Sequence, residues 1–384
     1  MIKNLSLFFR KTFSKQSFGN QQKSFLNQFA RNKFTNSNKI ILCGGAVTVF
    51  GGIFYTFFDR NKLKLTLNIN PAFCASFLKS QESVYSQTKH HALYLTIHLR
   101  PEVSVKEVIK KVANLKKYVD KISPINLRDD ENEVLAGVGF GPNFLTKIRP
   151  SKPPPSSFSY YTRKGQFGEM PSTGGDIFIH AKCDEISRLF ELAQLILKEL
   201  PENSIESFED IYGWVYRYGR DLSGFIDGTE NPASTDHRQE VAVNTTTGGS
   251  YVITQKWIHK FGVINKEKEE VLEGYVGRKR SDSTELKRKS TTSHVARMTG
   301  GPNFEQKKNF EIVRQSQPFG TLSGENGLFF IGYSASVEAL DYMLNRMVGA
   351  TEDGLGDDIM KMSKCVKSTY WYFPGQQELD DLLK

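Results

Sequence analysis

A chain of 384 residues with 39% hydrophobic content can build one large core or two modest ones, and its net charge of +9 raises the question of nucleic acid. Residues 1–58 carry Lys3, Arg10, Lys11, Lys15, Lys23, Arg31, Lys33 and Lys39 and no Asp or Glu, so taking those eight cations away leaves about +1 for the rest. A nearly neutral globular part removes the electrostatic case for a nucleic-acid partner, and Cys43, Cys74, Cys183 and Cys365, scattered without a C-x-x-C pair, give neither a zinc spacing nor a disulfide framework.

In chain order, residues 1–39 are rich in Phe, Asn, Gln, Ser, Lys and Arg and free of acids, the composition of a mitochondrial presequence. Residues 40–58 (IILCGGAVTVFGGIFYTFF) are nineteen positions without a charge, so a transmembrane helix is expected there. Gly44, Thr48 and Gly52 would lie on one face of such a helix, open to a partner membrane helix or to a second copy of the chain. The cations before this segment place its N-terminal side in the matrix. The expected location is therefore the mitochondrial inner membrane, crossed once, with the globular part in the intermembrane space.

After a linker over 59–65, strands and helices alternate. His91–Leu99 alternates as a strand, Ser104–Val119 has helical spacing, and Glu133–Phe140 is strand-like up to Gly141-Pro142. The prolines of Ser151-Lys-Pro-Pro-Pro-Ser-Ser mark a loop. Asp176–Ala181 reads as a strand and Asp184–Leu200 as an amphipathic helix. The second half repeats this order: Ser250–His259 and Gly327–Tyr333 as strands, Val337–Val348 as a helix, Tyr370–Phe373 as a last strand. Two similar halves, 66–205 and 206–384, predict an α+β fold of two domains with antiparallel sheets covered by helices.

The most informative stretch is Arg220-Asp-Leu-Ser-Gly-Phe-Ile-Asp-Gly-Thr-Glu-Asn-Pro232, in which Gly224 and Gly228 bracket Asp227. On its own Gly-x-x-Asp-Gly is a turn. Ser293-His-Val-Ala-Arg297 and Ile312-Val-Arg-Gln-Ser-Gln-Pro-Phe-Gly320 follow it, and Val138-Gly-Phe-Gly-Pro142, Thr173-Gly-Gly-Asp-Ile-Phe-Ile-His180 and Val276-Gly-Arg278 accompany them. Together, and in this order, these segments resemble the dye-decolourising haem peroxidases over roughly residues 66–375.

The resemblance implies two ferredoxin-like domains of the dimeric α+β barrel type, with haem b (iron protoporphyrin IX) in the second. It implies oxidation of an organic electron donor by hydrogen peroxide through a ferryl intermediate. Position by position it makes His294 the proximal iron ligand, with Asp357 holding its other ring nitrogen; Asp358 is adjacent and a helix N-cap is a competing role for either. Asp227 and Arg314 match the distal pair, the one a proton shuttle and the other a fixed charge for the departing oxygen. Ser316 falls where it would bond a distal water, Gly228 beside the cofactor, and Arg278 where a propionate is contacted. Relatives tend to carry acidic residues between Arg278 and His294. Here Glu285-Leu-Lys-Arg-Lys-Ser290 is basic, either a solvated loop or a docking surface for an anionic substrate, a lipid headgroup or an acidic partner. A non-enzymatic haem-binding or structural subunit of a mitochondrial membrane complex is the alternative, as is a haem carrier. A purely structural subunit need not keep Asp227, Arg314 and His294 together.

Overall fold

The computed structural model describes residues 46–49, 52–55, 68–69, 78–148, 153–299 and 311–384. The chain divides into two compact units, 1–76 and 77–384.

In the first unit β1 (Ala46–Val49), β2 (Gly52–Tyr55) and β3 (Asn68–Ile69) form an antiparallel sheet in the order β1-β2-β3. This corrects the membrane helix expected over 40–58. Val49 pairs with Gly52, so the chain reverses in two residues where a spanning helix would run straight on. Among the described residues no helix is long and apolar enough to cross a membrane. The physical reason lies in the same nineteen residues: they are apolar, but Gly44, Gly45, Gly51 and Gly52 are poor helix formers. Val47, Thr48, Val49 and Ile53 are β-branched and favour strands. Hydropathy alone does not separate the two. The leader 1–39 and the rest of 40–58 lie outside the described residues.

The second unit is built from β4 (His91–Leu99), β5 (Leu135–Phe140), the small hairpin β6 (Arg163–Gly165) and β7 (Gly168–Met170), β8 (Ile177–Cys183), β9 (Ile205–Trp214), β10 (Ser250–His259), β11 (Val313–Arg314), β12 (Gln317–Gly320), β13 (Asn326–Ser334) and β14 (Ser363–Phe373). The larger sheet runs β10-β14-β5-β8-β4-β9-β12-β13-β11, and β10 also pairs with β13. That extra pairing closes the sheet on itself, which removes its exposed edges.

Within the closed sheet, β4, β5, β8 and β9 stand in the spatial order β5-β8-β4-β9, and β10, β12, β13 and β14 stand in the equivalent order β12-β13-β10-β14. Each set has the ferredoxin-like arrangement, its crossovers made by helices such as Ile186–Glu199 in the first and Val337–Val348 in the second. The two sets meet at two seams, Tyr372 against Phe140 and Phe319 against Gly213. At the first seam a Cβ on Gly139 would stand 2.3 Å from the Phe373 ring, so only glycine allows β14 to close against β5.

Alternation along each strand sorts the side chains into two cores. Tyr94, Phe178, Phe329, Ile331, Tyr333, Trp371 and Phe373 fill the barrel interior. Leu93, Leu95, Ile179, Ile253, Tyr370 and Tyr372 face outwards beneath the helices. The helix expected over 104–119 is two pieces, Val105–Val112 and Leu115–Ile122, broken at Ala113-Asn114.

Candidate active site

A cavity of about 450 Å³ lies on the outer face of the second set of strands. Its sheet wall is made by Ile253, Gln255 and Trp257 of β10 and by Leu328 and Phe330 of β13. Leu340, Met343, Leu344 and Met347 of the helix Val337–Val348 line it as well, with Val295 and Met298 from the short helix His294–Thr299. The walls are apolar, and a few charged groups are placed among them, the usual character of a cofactor pocket.

His294 is one of those groups. Its Nδ1 is 2.7 Å from Oδ2 of Asp357, and Asp357 is fully buried. The Asp357 Oδ1 accepts the backbone N–H of Ile359 at 3.0 Å and so caps the short 3-10 helix Asp358–Lys361. Asp357 thus bonds His294 through one oxygen and caps the short helix through the other. Asp358 is engaged elsewhere, with Thr292 Oγ1 and with Lys361 Nζ, both at 2.7 Å.

Arg314 reaches the same cavity because β11 alternates: Val313 points into the barrel and Arg314 away from it. Its Nη1 is 3.7 Å from Oδ1 of Asp227, and its Nη2 is buried with no hydrogen-bond partner among the described residues. Asp227 Oδ1 also accepts the N–H of Gly228 at 2.7 Å. Gly228 has φ +79°, a left-handed turn that glycine adopts without strain.

Arg278 lines the cavity, bonds Glu230 and the carbonyl of Ser283 (2.9 Å), and has Glu285 at 3.4 Å; its Nε is buried without a partner among the described residues. Ser316 is not among the lining residues, and its hydroxyl accepts the N–H of Ile331 at 3.3 Å, between β11 and β12.

Three further groups have no role assigned from sequence, although Asn231 and Arg297 stand within the motif segments. Asn231 fixes the backbone of Arg314, accepting its N–H and donating to its carbonyl, each at 2.8 Å. Arg297, almost wholly buried, donates to the carbonyl of Arg346 and to Asp353, which ties the His294 helix to the helix Val337–Val348. His259 also lines the cavity, its Nε2 at 2.8 Å from Asp221 and its Nδ1 at 2.8 Å from Ser363 Oγ. Burial opposes the charge of Asp221, but the hydrogen bonds from His259 and Ser223 outweigh it and hold the carboxyl below its ordinary range.

The donor set indicates what the cavity can hold. Among the described residues no three His, Cys, Asp or Glu side chains come together to bind a bare metal ion. A metal at His294 would have one imidazole from these residues, through Nε2, and a macrocycle supplying further ligands fits that arrangement. Arg314 and Arg278 both line the cavity, and their guanidinium charges suit an anionic ligand there. An iron porphyrin fits these residues.

Residues 218–378 match the family model described as Dyp-type peroxidase, C-terminal. A dye-decolorizing peroxidase of Brevibacterium linens is 28% identical over 298 residues, which cover 75% of this chain and 78% of that protein. A crystal structure of a Dyp-type peroxidase protein from Shewanella oneidensis superposes with a TM-score of 0.72 at 28% identity, covering 80% of this chain and 98% of the other. A variant of DypB from Rhodococcus jostii RHA1, in complex with heme, has a TM-score of 0.71 at 25% identity and covers 78% and 98%.

Proposed function

The chain belongs to the dye-decolourising peroxidase family, and from that premise we propose that the cavity beside His294 holds haem and reduces hydrogen peroxide at the expense of an organic electron donor. The observation that carries this reading is the convergence of the His294–Asp357 pair and the Arg314–Asp227 pair on one apolar cavity.

Haem held at His294 would supply a redox-active iron able to give two electrons to peroxide and to regain them from a donor. The residues around it have separable tasks. Asp357 holds His294 in one orientation, with the ring proton on Nδ1 and the lone pair of Nε2 facing outwards. Arg314 supplies its guanidinium as a fixed charged donor, suited to the negative charge that builds on the departing oxygen. Asp227 Oδ1 is occupied by the Gly228 N–H and the ion pair, which leaves Oδ2 to take up and return the peroxide proton. Asn231 keeps Arg314 in register, and the apolar walls exclude water from the reacting atoms.

A non-enzymatic subunit has no use for the distal pair and is not favoured. The acid-free basic leader supports import into mitochondria, which a fluorescent reporter fused to residues 1–39 tests directly; a cytosolic reporter removes that part of the reading. For the activity itself, the purified protein reconstituted with haem is expected to show a Soret band that changes on adding peroxide and recovers with a donor. A Soret band indifferent to peroxide refutes the proposal.

A further inference from the structure

The barrel interior, on the other side of the sheet from the cavity, holds a pair of titratable groups that the site does not use. The Tyr333 hydroxyl is 2.6 Å from Nδ1 of His180, and both residues are fully buried. Aromatic rings connect this pair to the cavity wall. Phe330 lines the cavity and its neighbour Phe329 points inwards, where it stacks on Tyr94 with centroids 4.2 Å apart and planes at 18°. Tyr94 stacks on His180 at 5.2 Å and 10°, and His180 lies 5.9 Å from the Tyr333 ring.

The protonation states are those of a resting donor and a waiting base. Burial, reinforced by the nearby charge of Lys182, lowers the basicity of His180 well below its ordinary value, so the imidazole is neutral and Nδ1 can accept. Burial also pushes the Tyr333 phenol far up, so it keeps its proton at rest. A phenol that loses an electron becomes a strong acid, and an oxidised phenol in a dry interior persists only if a base stands at hydrogen-bond distance. Nδ1 of His180 stands there.

We propose that Tyr333 is a redox-active phenol, oxidised through one sheet layer by the peroxide-oxidised cofactor, with His180 Nδ1 as its proton acceptor. The step balances. One electron leaves the Tyr333 ring for the oxidised cofactor, the O–H bond breaks, and an N–H bond forms at His180, giving a neutral phenoxyl and an imidazolium. Return of an electron from the donor restores the O–H and the neutral imidazole. The pair thereby stores one oxidising equivalent where water and bulky reductants cannot reach it. This inference rests on the peroxidase reading above.

The test uses the haem-loaded full chain, mixed with one equivalent of peroxide and frozen within milliseconds for electron paramagnetic resonance. The expected result is a tyrosyl signal that narrows when tyrosine is ring-deuterated, disappears in Tyr333→Phe and survives in Tyr94→Phe. Fluorotyrosine incorporated at position 333 keeps the hydroxyl and the packing, and is expected to add fluorine hyperfine splitting to the same signal. A Soret band that responds to peroxide with no tyrosyl signal, or with a signal unchanged in Tyr333→Phe and by fluorotyrosine at 333, overturns this proposal alone. A Soret band that never responds overturns the peroxidase reading and this proposal with it.

Discussion

The side chain of Asn231 bonds both backbone groups of Arg314, accepting from its nitrogen and donating to its carbonyl at 2.8 Å each. Arg314 sits on a strand of two residues, β11, whose own ladder with β13 is short. The amide of Asn231 acts there as a further strand partner, so the Arg314 guanidinium is aimed by a residue that does not line the cavity. Asn231→Ala is expected to keep the Soret band while slowing the reaction with peroxide, and to cost about 1–3 kcal/mol of stability through the unpaired backbone groups. Arg314→Leu is expected to slow the same step by roughly 10²–10³-fold. Stopped-flow rates with peroxide check both; an Asn231→Ala protein as fast as the parent shows that Arg314 holds itself.

Asp357 bonds His294 through one oxygen, and its second oxygen is committed to the cap on Ile359. Asp357→Asn keeps the cap and the shape but replaces a carboxylate acceptor by an amide. Changing a residue that orients a metal-binding histidine typically costs about 10–100-fold in metal affinity or activity. His294→Ala is expected to lose haem far more completely. Haem titration followed at the Soret band distinguishes the two, and equal retention in both variants removes His294 as the ligand.

The Arg297–Asp353 contact gives a pH signature. Hydrogen bonds from Arg297 hold the Asp353 carboxyl well below the usual carboxylate range. A depressed carboxylate contributes stability that is fully present above its unfolded pKa of about 3.9 and is lost as pH falls through the folded value. Asp353→Asn is therefore expected to destabilise the protein by a constant amount at pH 5–7 and by progressively less below about pH 4. Urea melts across that range measure it. A difference that grows on acidification contradicts this sign.

Much of this was legible in the sequence, and the exceptions have physical causes. Val337–Val348 and Ser250–His259 follow the expected bounds because their apolar periods are long and uninterrupted. β9 escapes the alternation test: Glu206, Glu209 and Asp210 crowd its first six residues, and Glu209 is there to pair with Lys256 and Lys367. The site residues His294, Asp357, Asp227 and Arg314 come from segments far apart in the chain, and only resemblance brings them together beforehand. Asn231, Arg297 and the His259–Asp221 pair act through buried hydrogen bonds, which leave no period in a sequence. The apolar run over 40–58 misled in the opposite way, since length and hydropathy were right for a helix while glycine and β-branched content favoured strands.

The basic loop offers the last test. Lys287 and Arg288 are exposed, whereas Lys289 bonds Glu285, and Glu285 in turn faces Arg278 on the cavity lining. The loop is thus linked through two ion pairs to the rim, and its two exposed cations are the ones able to attract an anionic donor. Such attraction weakens with salt, because the Debye length falls from about 10 Å at 0.1 M to about 3 Å at 1 M. An anionic dye is expected to be oxidised faster at low salt than a cationic dye of similar potential. Lys287→Glu with Arg288→Glu is expected to invert that order and leave the reaction with neutral peroxide almost unchanged, since neither side chain touches the cavity. Lys289 is left in place so that the Glu285 pairing, and with it Arg278, keeps its position. A dye preference that survives the reversal, together with a flat salt response, places donor entry away from this loop and leaves its cations as a solvated surface.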